Sequence, residues 1–431
     1  GNKPIAIFSK LKFSINSMKP LLISTSDRGG SGMAAYRVHR GLQQSAIPSQ
    51  MLVQTKLSDD PDVLESDDNY DKAIAKLRIN ERVNALPLQR YRQRDRAIFS
   101  TQWFPDTIAA KVKQINPDIV NLHWICKGFV RIETLAQFNC PVVWTFHDMW
   151  AFTGGCHYSG ECDRYVGSCG ACPQLNSSRE NDLSRWVWRR KTKAWKNLNL
   201  TVVTPSQWMA KCARSSALFQ NTPVEVIPNG LNTDIYKPLD RRIARSRLNL
   251  PEDKQLILFG ARDAGDPRKG FPLLQSALKH LEKSGWHDRL ELAIFGTAKS
   301  LQQFDLGFKY HLLGRLNDEI SLALLYAAAD VFVASSLQDN LPNTVVEALA
   351  CGTPSVAFDI GGLPDIIDHQ DNGYLARPYK SEDLARGIAW VLEDPQRHQH
   401  LRDRARQKAE KEFTMAVQAK RYADLFTRLV R

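Results

Sequence analysis

Ser335-Ser336-Leu337-Gln338-Asp339-Asn340-Leu341-Pro342-Asn343-Thr344-Val345-Val346-Glu347-Ala348-Leu349-Ala350-Cys351-Gly352-Thr353-Pro354 follows one apolar run, Val331-Phe332-Val333-Ala334, and leads into another, Ser355-Val356-Ala357-Phe358. The pattern reads as strand, loop, helix and strand, the unit of a parallel α/β sheet. Two acids stand eight positions apart, Asp339 before the helix and Glu347 inside it. If Asn343 and Thr344 open that helix, free backbone N–H groups and the helix dipole face the strand end, and they favour a phosphate. A diphosphate can dock there. Glu347, one turn in, is an acceptor-only carboxylate able to take both hydroxyls of a ribose, and Asp339 can reach hydroxyls of a sugar. For either acid alone, a turn residue or a first-turn dipole partner is the plainer reading. Their joint placement, closed by Ala-Cys-Gly-Thr-Pro, favours function.

Working outward, short apolar runs alternate with helical patterns along the whole chain, which indicates βαβ units. Strands are predicted at residues 21–24, 51–55, 118–123, 141–146 and 200–203, and again at 255–260, 290–295, 310–313, 331–334 and 355–358. The 431 residues exceed one ordinary core, so two domains of roughly 200 residues each are expected. The Pro/Gly/Asn-rich stretch from Val224 to Pro238 suits a hinge. The expected division is 18–222 for an N-terminal domain, 223–240 for the hinge, 241–411 for a C-terminal domain and 412–431 for a terminal amphipathic helix. Met18 reads as a natural start, ahead of the first strand. Asp59 to Asp71, acidic and poor in hydrophobics, reads as a loop.

The composition, 43% hydrophobic and 24% charged, fits a globular protein, and the net charge of +12 favours an anionic partner. Nucleic acid is excluded on motifs: no helix-turn-helix, base-reading zinc finger or RNA-binding aromatic signature occurs. No run approaches the roughly 20 apolar residues that cross a bilayer. Positive charge concentrates at Lys76–Arg96 and at Arg185–Lys196, where Trp186, Trp188 and Trp195 interleave with basic residues. Such mixing suits an anionic membrane surface, and equally a solvated helix face with its tryptophans turned inward.

Three further segments can carry chemistry. Gly29-Gly30-Ser31-Gly32 follows the first strand and precedes a helix, where glycines let a ligand approach the backbone. His147 and Asp148 end the fourth strand, where ligands bind in open α/β sheets. Arg262, Arg268 and Lys269 follow the first strand of the second half. Fixed cations there stabilise a leaving diphosphate more as its bond breaks than before.

The acid-x7-acid stretch, with these segments, resembles the signature of the retaining nucleotide-sugar glycosyltransferases of family 4, which have the GT-B fold. The family usually has Glu-x7-Glu, whereas this chain has Asp339 in the first place. The resemblance covers nearly the whole chain and is strongest over residues 254–375. It implies two Rossmann-like domains facing across a cleft, with the terminal helix crossing back to the first domain. It further implies that Gly29 and Gly30 line the cleft near the donor diphosphate and that His147 contacts the donor sugar, with Asp148 orienting it or the acceptor. Arg262 and Lys269 would reach the diphosphate, with Arg268 as a rival for either role. Gly314 to Leu316 would hold the nucleobase through backbone groups. Gly361-Gly362-Leu363-Pro364-Asp365 would shape the cleft wall.

Cys156, Cys162, Cys169 and Cys172 fall within 17 residues of a polar loop, 155–173. Four thiols ending in Cys-x2-Cys can close a structural zinc site, with His157 able to replace one ligand, and two disulfides would do the same in an oxidising compartment. With no secretory signal recognised, a reduced cytoplasm and zinc are the expected setting. Cys126, Cys140, Cys212 and Cys351 read as small buried hydrophobes.

The expected function is retaining transfer of a sugar from a nucleoside-diphosphate sugar to a hydroxyl of a glycan or lipid-linked acceptor. No catalytic cofactor or metal is expected. The expected location is the cytoplasm, peripheral to the inner face of the membrane. The alternatives are a nucleotide-sugar epimerase on the same fold, or a sugar-nucleotide-binding subunit without turnover.

Overall fold

Parallel strands buried on both faces read as unbroken apolar runs, and the chain folds accordingly. The structure, a computed structural model, describes residues 17–67, 70–263, 266–297, 306–316 and 318–430. The side chains of 70–77, 261 and 262, that of Arg262 among them, lie outside that description.

Strands β1 (Pro20–Ser26), β2 (Gln50–Thr55), β3 (Val63–Glu65), β4 (Ile119–Leu122), β5 (Val142–Thr145), β6 (Leu200–Thr204) and β7 (Val224–Val226) form a parallel sheet in the order β3-β2-β1-β4-β5-β6-β7. Strands β8 (Gln255–Asp263), β9 (Leu290–Thr297), β10 (Tyr310–Gly314), β11 (Val331–Ala334), β12 (Ser355–Phe358) and β13 (Gly373–Ala376) form a second, in the order β10-β9-β8-β11-β12-β13. Both orders reverse direction once, between β1 and β4 and between β8 and β11. Each reversal leaves a crevice at the carboxyl ends of the strands, where ligands bind in such sheets. These are two Rossmann-like domains.

All ten predicted strands are present, and three short ones are added. The segment expected to be a loop at 59–71 holds β3, whose Val63 pairs with Met51 at the sheet edge. β7 pairs with Val202–Thr204, so the first sheet reaches into the expected hinge at 223–240.

The terminal helix Met415–Val430 returns to the first domain, as the resemblance implies. Tyr422, Leu425 and Phe426 are buried with Leu22, Val38 and Leu42 of the first sheet and its first helix. Each such side chain removed from water contributes about 1.5–3 kcal/mol. The crossing is tethered where Leu231 exchanges backbone hydrogen bonds with Phe413 and Met415, at 2.8 and 3.1 Å. Among the described residues no helix is long and apolar enough to cross a membrane.

Candidate active site

Between the domains lies a cleft of about 680 Å³, lined by strand ends and helix starts of both sheets. It brings together Gly29, Gly30, His147, Asp148, Lys269, Leu316, Asp339, Asn343, Thr344 and Glu347, which are scattered over the sequence. Gly314 ends β10 and is not among the lining residues, whereas Arg315 beside it is.

The helix Asn343–Ala350 begins at Asn343 with Pro342 as its cap residue, and Pro342 offers no side-chain acceptor to the first N–H groups. The Val345 and Val346 N–H groups donate to the Pro342 carbonyl, so the N–H groups of Asn343 and Thr344 are those left for a ligand. Asp339 sits in the loop before it, 6% exposed. Its Oδ2 accepts from Lys269 Nζ at 2.6 Å and from Ser336 Oγ at 3.1 Å, and Arg268 Nη1 lies 3.6 Å away. Burial pushes this carboxyl up, but Lys269 and Arg268 outweigh it and hold Asp339 below the usual carboxylate range. Arg268 also stacks on Tyr158 of the first domain, 4.4 Å from the ring centre, so the rival cation does line the cleft. The Asp339 loop leaves no room behind it. A Cβ at Gly362 would strike the Asn340 carbonyl, and one at Gly361, where φ is +55°, would strike that of Asp339. Gly361 and Gly362, expected in the cleft wall, are not among its lining residues and pack behind the Asp339 loop.

Glu347 is engaged on both oxygens. Oε1 accepts from Arg37 Nη2 at 3.0 Å and Oε2 from the Tyr326 hydroxyl at 3.0 Å. Burial raises this carboxyl although Arg37 and Tyr326 pull it down. Arg37, on the first helix (Gly29–Gln44), also donates to Glu319 at 2.7 Å. It therefore ties the two domains together. Asn340 does so as well, donating from Nδ2 to the carbonyls of Phe146 and His147 at 3.0 and 3.2 Å, while its Oδ1 accepts from Ser206 at 2.6 Å. Asn343 donates to the Gly30 carbonyl at 3.2 Å.

On the opposite wall, His147 Nε2 lies 2.8 Å from His123 Nδ1, and burial lowers His147 to about 4 against the pull of Asp148. Asp148 acts on His147 through its charge, and its hydrogen bonds among the described residues go elsewhere. Its oxygens accept from Trp124 Nε1 and His157 Nδ1 at 2.7 Å each, and from the Trp150 N–H at 2.9 Å. Asp148 is thus the anchor of the loop beyond it.

That loop corrects the zinc expectation. Among the described residues no group of three or more His, Cys, Asp or Glu side chains is placed to hold a metal ion, and all eight cysteines are free thiols. Cys156 and Cys172 pack with Leu88, Phe99, Leu175 and Leu183, and burial pushes the Cys169 thiol up to about 12. His157 is held between Asp148 and Ser100, and the Cys172 N–H donates to Asp182 at 2.8 Å. Hydrogen bonds and a small apolar cluster order this loop.

Three residues of the site escaped the sequence reading: Arg37, Asn340 and His123. His123 left a signal, since two histidines end two consecutive predicted strands.

Two facing Rossmann-like domains, with acids, cations and a helix start gathered at the strand ends between them, make up the GT-B fold. The family described as Glycosyl transferases group 1 matches residues 240–408, and Glycosyltransferase Family 4 matches residues 28–235. The chain belongs to this glycosyltransferase family. It is 28% identical over 220 residues to D-inositol 3-phosphate glycosyltransferase 2 of Catenulispora acidiphila, covering 48% of this chain and 51% of that one. The chain spans about half the length of the first curated relatives it matches. Sucrose-phosphate synthase of Thermosynechococcus elongatus has the same fold, with a TM-score of 0.68 at 20% identity, covering 96% of this chain and 99% of that one. Anabaena HepE, solved with UDP-glucose, gives a TM-score of 0.63 at 18% identity over 96% of this chain and 100% of that one. At these identities the likeness is one of fold.

Proposed function

We propose that the protein transfers a sugar, with retention, from a nucleoside-diphosphate sugar to a hydroxyl acceptor of a cell-surface glycan or glycolipid. The observation that carries this is the Lys269–Asp339 pair at 2.6 Å, set in the cleft beside the open start of the Asn343 helix. A diphosphate at that helix start meets free N–H groups and the Lys269 and Arg268 cations together. These supply the charge stabilisation that a divalent metal gives elsewhere, as the metal-independent reading requires. Asp339 is assigned to the donor sugar's hydroxyls and Glu347 to the ribose. His147 is assigned to the sugar from the first domain, with Gly29 and Gly30 near the diphosphate and Leu316 near the base. Arg262 completes the cations in this reading.

No carboxylate is assigned as a covalent nucleophile. The glycosidic C–O bond breaks, the diphosphate leaves with the electron pair, and the acceptor hydroxyl attacks the same face. Its proton passes to the departing phosphate oxygen. Fixed cations favour this because the negative charge they face grows in the transition state.

The acceptor side is assigned to an anionic bilayer at the cytoplasmic face. Ile79, Leu86 and Ile98 are exposed among Arg78, Arg82, Arg90, Arg92 and Arg96, which supports that assignment. In the second basic segment Trp195 is buried, while Trp186 is exposed and stacks on Arg190.

Thermal denaturation with a panel of nucleoside diphosphates and their sugars tests the reading, because a ligand of the native state raises Tm by mass action. One base series is expected to stabilise the protein, and Lys269→Ala to abolish the effect. No stabilisation by any member would overturn the donor assignment.

A further inference from the structure

The C-terminal ends of β4 and β5 carry a hydrogen-bonded chain that runs from the terminal helix to the cleft. Tyr422 Oη lies 2.9 Å from Thr145 Oγ1, and Thr145 Oγ1 accepts from Asn121 Nδ2 at 3.1 Å. Asn121 Oδ1 lies 3.0 Å from His123 Nε2, and His123 Nδ1 lies 2.8 Å from His147 Nε2. Asn121, Thr145 and His123 are buried, and His147 lines the cleft.

The proton positions along this chain follow from one fixed point. Asn121 Nδ2 also faces the Val143 carbonyl at 3.1 Å, and a carbonyl only accepts. The amide nitrogen must therefore point that way, which turns Oδ1 toward His123. Oδ1 only accepts, so His123 carries its proton on Nε2. A neutral ring with Nε2–H has a bare Nδ1, and that nitrogen accepts from His147 Nε2–H. His147, neutral in turn, keeps Nδ1 as an acceptor. Among the described residues that nitrogen has no recorded hydrogen-bond partner. Burial holds both rings below the ordinary histidine range, consistent with neutral imidazoles.

We propose that Asn121 and His123 are positioning residues that fix His147 in the Nε2–H tautomer, presenting Nδ1 to the cleft as a hydrogen-bond acceptor. The ligand group this selects is a hydroxyl, or another donor, on the sugar. A carbonyl or a carboxylate is refused there, because two acceptors would meet. Assigning the donor group to the transferred sugar rests on the function proposed above, whereas the tautomer does not.

The test is histidine-selective ¹⁵N NMR on the full chain, with the His147 ring identified by its loss in His147→Ala. Expected is a protonated Nε2 and a bare Nδ1 at neutral pH. His123→Phe removes the acceptor and should mix the two tautomers. His123→Asn, whose amide oxygen reaches the place of Nδ1, should restore the single one. Turnover of UDP-glucose, the probe donor, should follow the same order, with His123→Phe about tenfold lower in kcat, the worth of one hydrogen bond. A proton on Nδ1 of His147 in the wild type would overturn the proposal, as would a tautomer indifferent to His123→Phe. If His123→Phe does not fold, the wild-type spectrum and that of His123→Asn decide alone. A correct tautomer without turnover of any nucleotide sugar would leave this proposal standing and count against the transferase reading.

Discussion

Arg37 Nη2 donates across the cleft to Glu347 Oε1 at 3.0 Å, and both side chains are almost wholly buried. Arg37 belongs to the first domain and Glu347 to the helix Asn343–Ala350 of the second. The acid assigned to the ribose is thus occupied by a cation of the opposite domain, and a nucleotide that takes Glu347 must loosen this tie. Removing one member of a buried ion pair leaves the other uncompensated, at a cost of about 3–5 kcal/mol. Arg37→Ala is expected to lower Tm by several degrees, and Glu347→Gln added to it to recover part of the loss. An Arg37→Ala protein as stable as the wild type in thermal denaturation would show that the pair contributes nothing to holding the domains closed.

Among the described residues Lys269 is the nearest cation to Asp339, and in the proposed reaction it faces the charge that develops on the leaving diphosphate. Deleting one such fixed donor costs roughly 100- to 1,000-fold in kcat. Lys269→Ala is expected to lose that much in initial-rate assays with the donor that the thermal panel identifies, and Lys269→Arg to lose less. A rate unchanged by Lys269→Ala would remove this side chain from the chemistry.

How far the sequence could be read follows from what each residue needs to be recognised. Long apolar runs buried on both faces announce themselves, and so did β4, β5, β11 and β12. The short edge strands β3 and β7, three residues each, lack the length for any period and are set by pairing with a neighbour already in place. Asp339 and Glu347 were legible because they lie a fixed number of residues from a strand or helix end, and Lys269 through the family resemblance. Arg37 was not, since an arginine in the middle of an amphipathic helix looks like solvated surface until the second domain closes over it. The cysteines misled for the opposite reason: their spacing is dense, but among the described residues they form no group placed to hold a metal ion.

Asp339 makes stability depend on acid. Lys269 and Arg268 hold its folded-state pKa below the usual value, so the folded protein binds this proton less tightly than the unfolded chain. The stabilisation it brings is fully present above the unfolded value of about 4 and is lost as pH falls through the lower folded one. Asp339→Asn is expected to be less stable than the wild type near neutrality, with the gap closing in acid. Denaturant midpoints taken across that range measure it. A gap independent of pH would mean that other carboxylates govern acid unfolding.

Lys191 makes stability depend on base, with the opposite origin. It is fully buried, donates to the carbonyls of Trp150 and Thr153, and lies 3.7 Å from the centre of the Trp150 ring. Those partners favour the charged amine, yet burial outweighs them and lowers Lys191 to about 7. Between that value and the unfolded one of about 10.4, the unfolded chain holds a proton that the folded protein lacks. Stability contributed by this site therefore rises with pH across that window and is constant below it. Lys191→Met removes the titration but leaves two carbonyls without their donor, at about 1–3 kcal/mol. The stability of the wild type relative to Lys191→Met is expected to grow as pH is raised through the window, by at most about 5 kcal/mol. A difference flat over the same range would mean that the Trp150 face and the two carbonyls keep the amine charged throughout, and that burial is not the stronger influence on it.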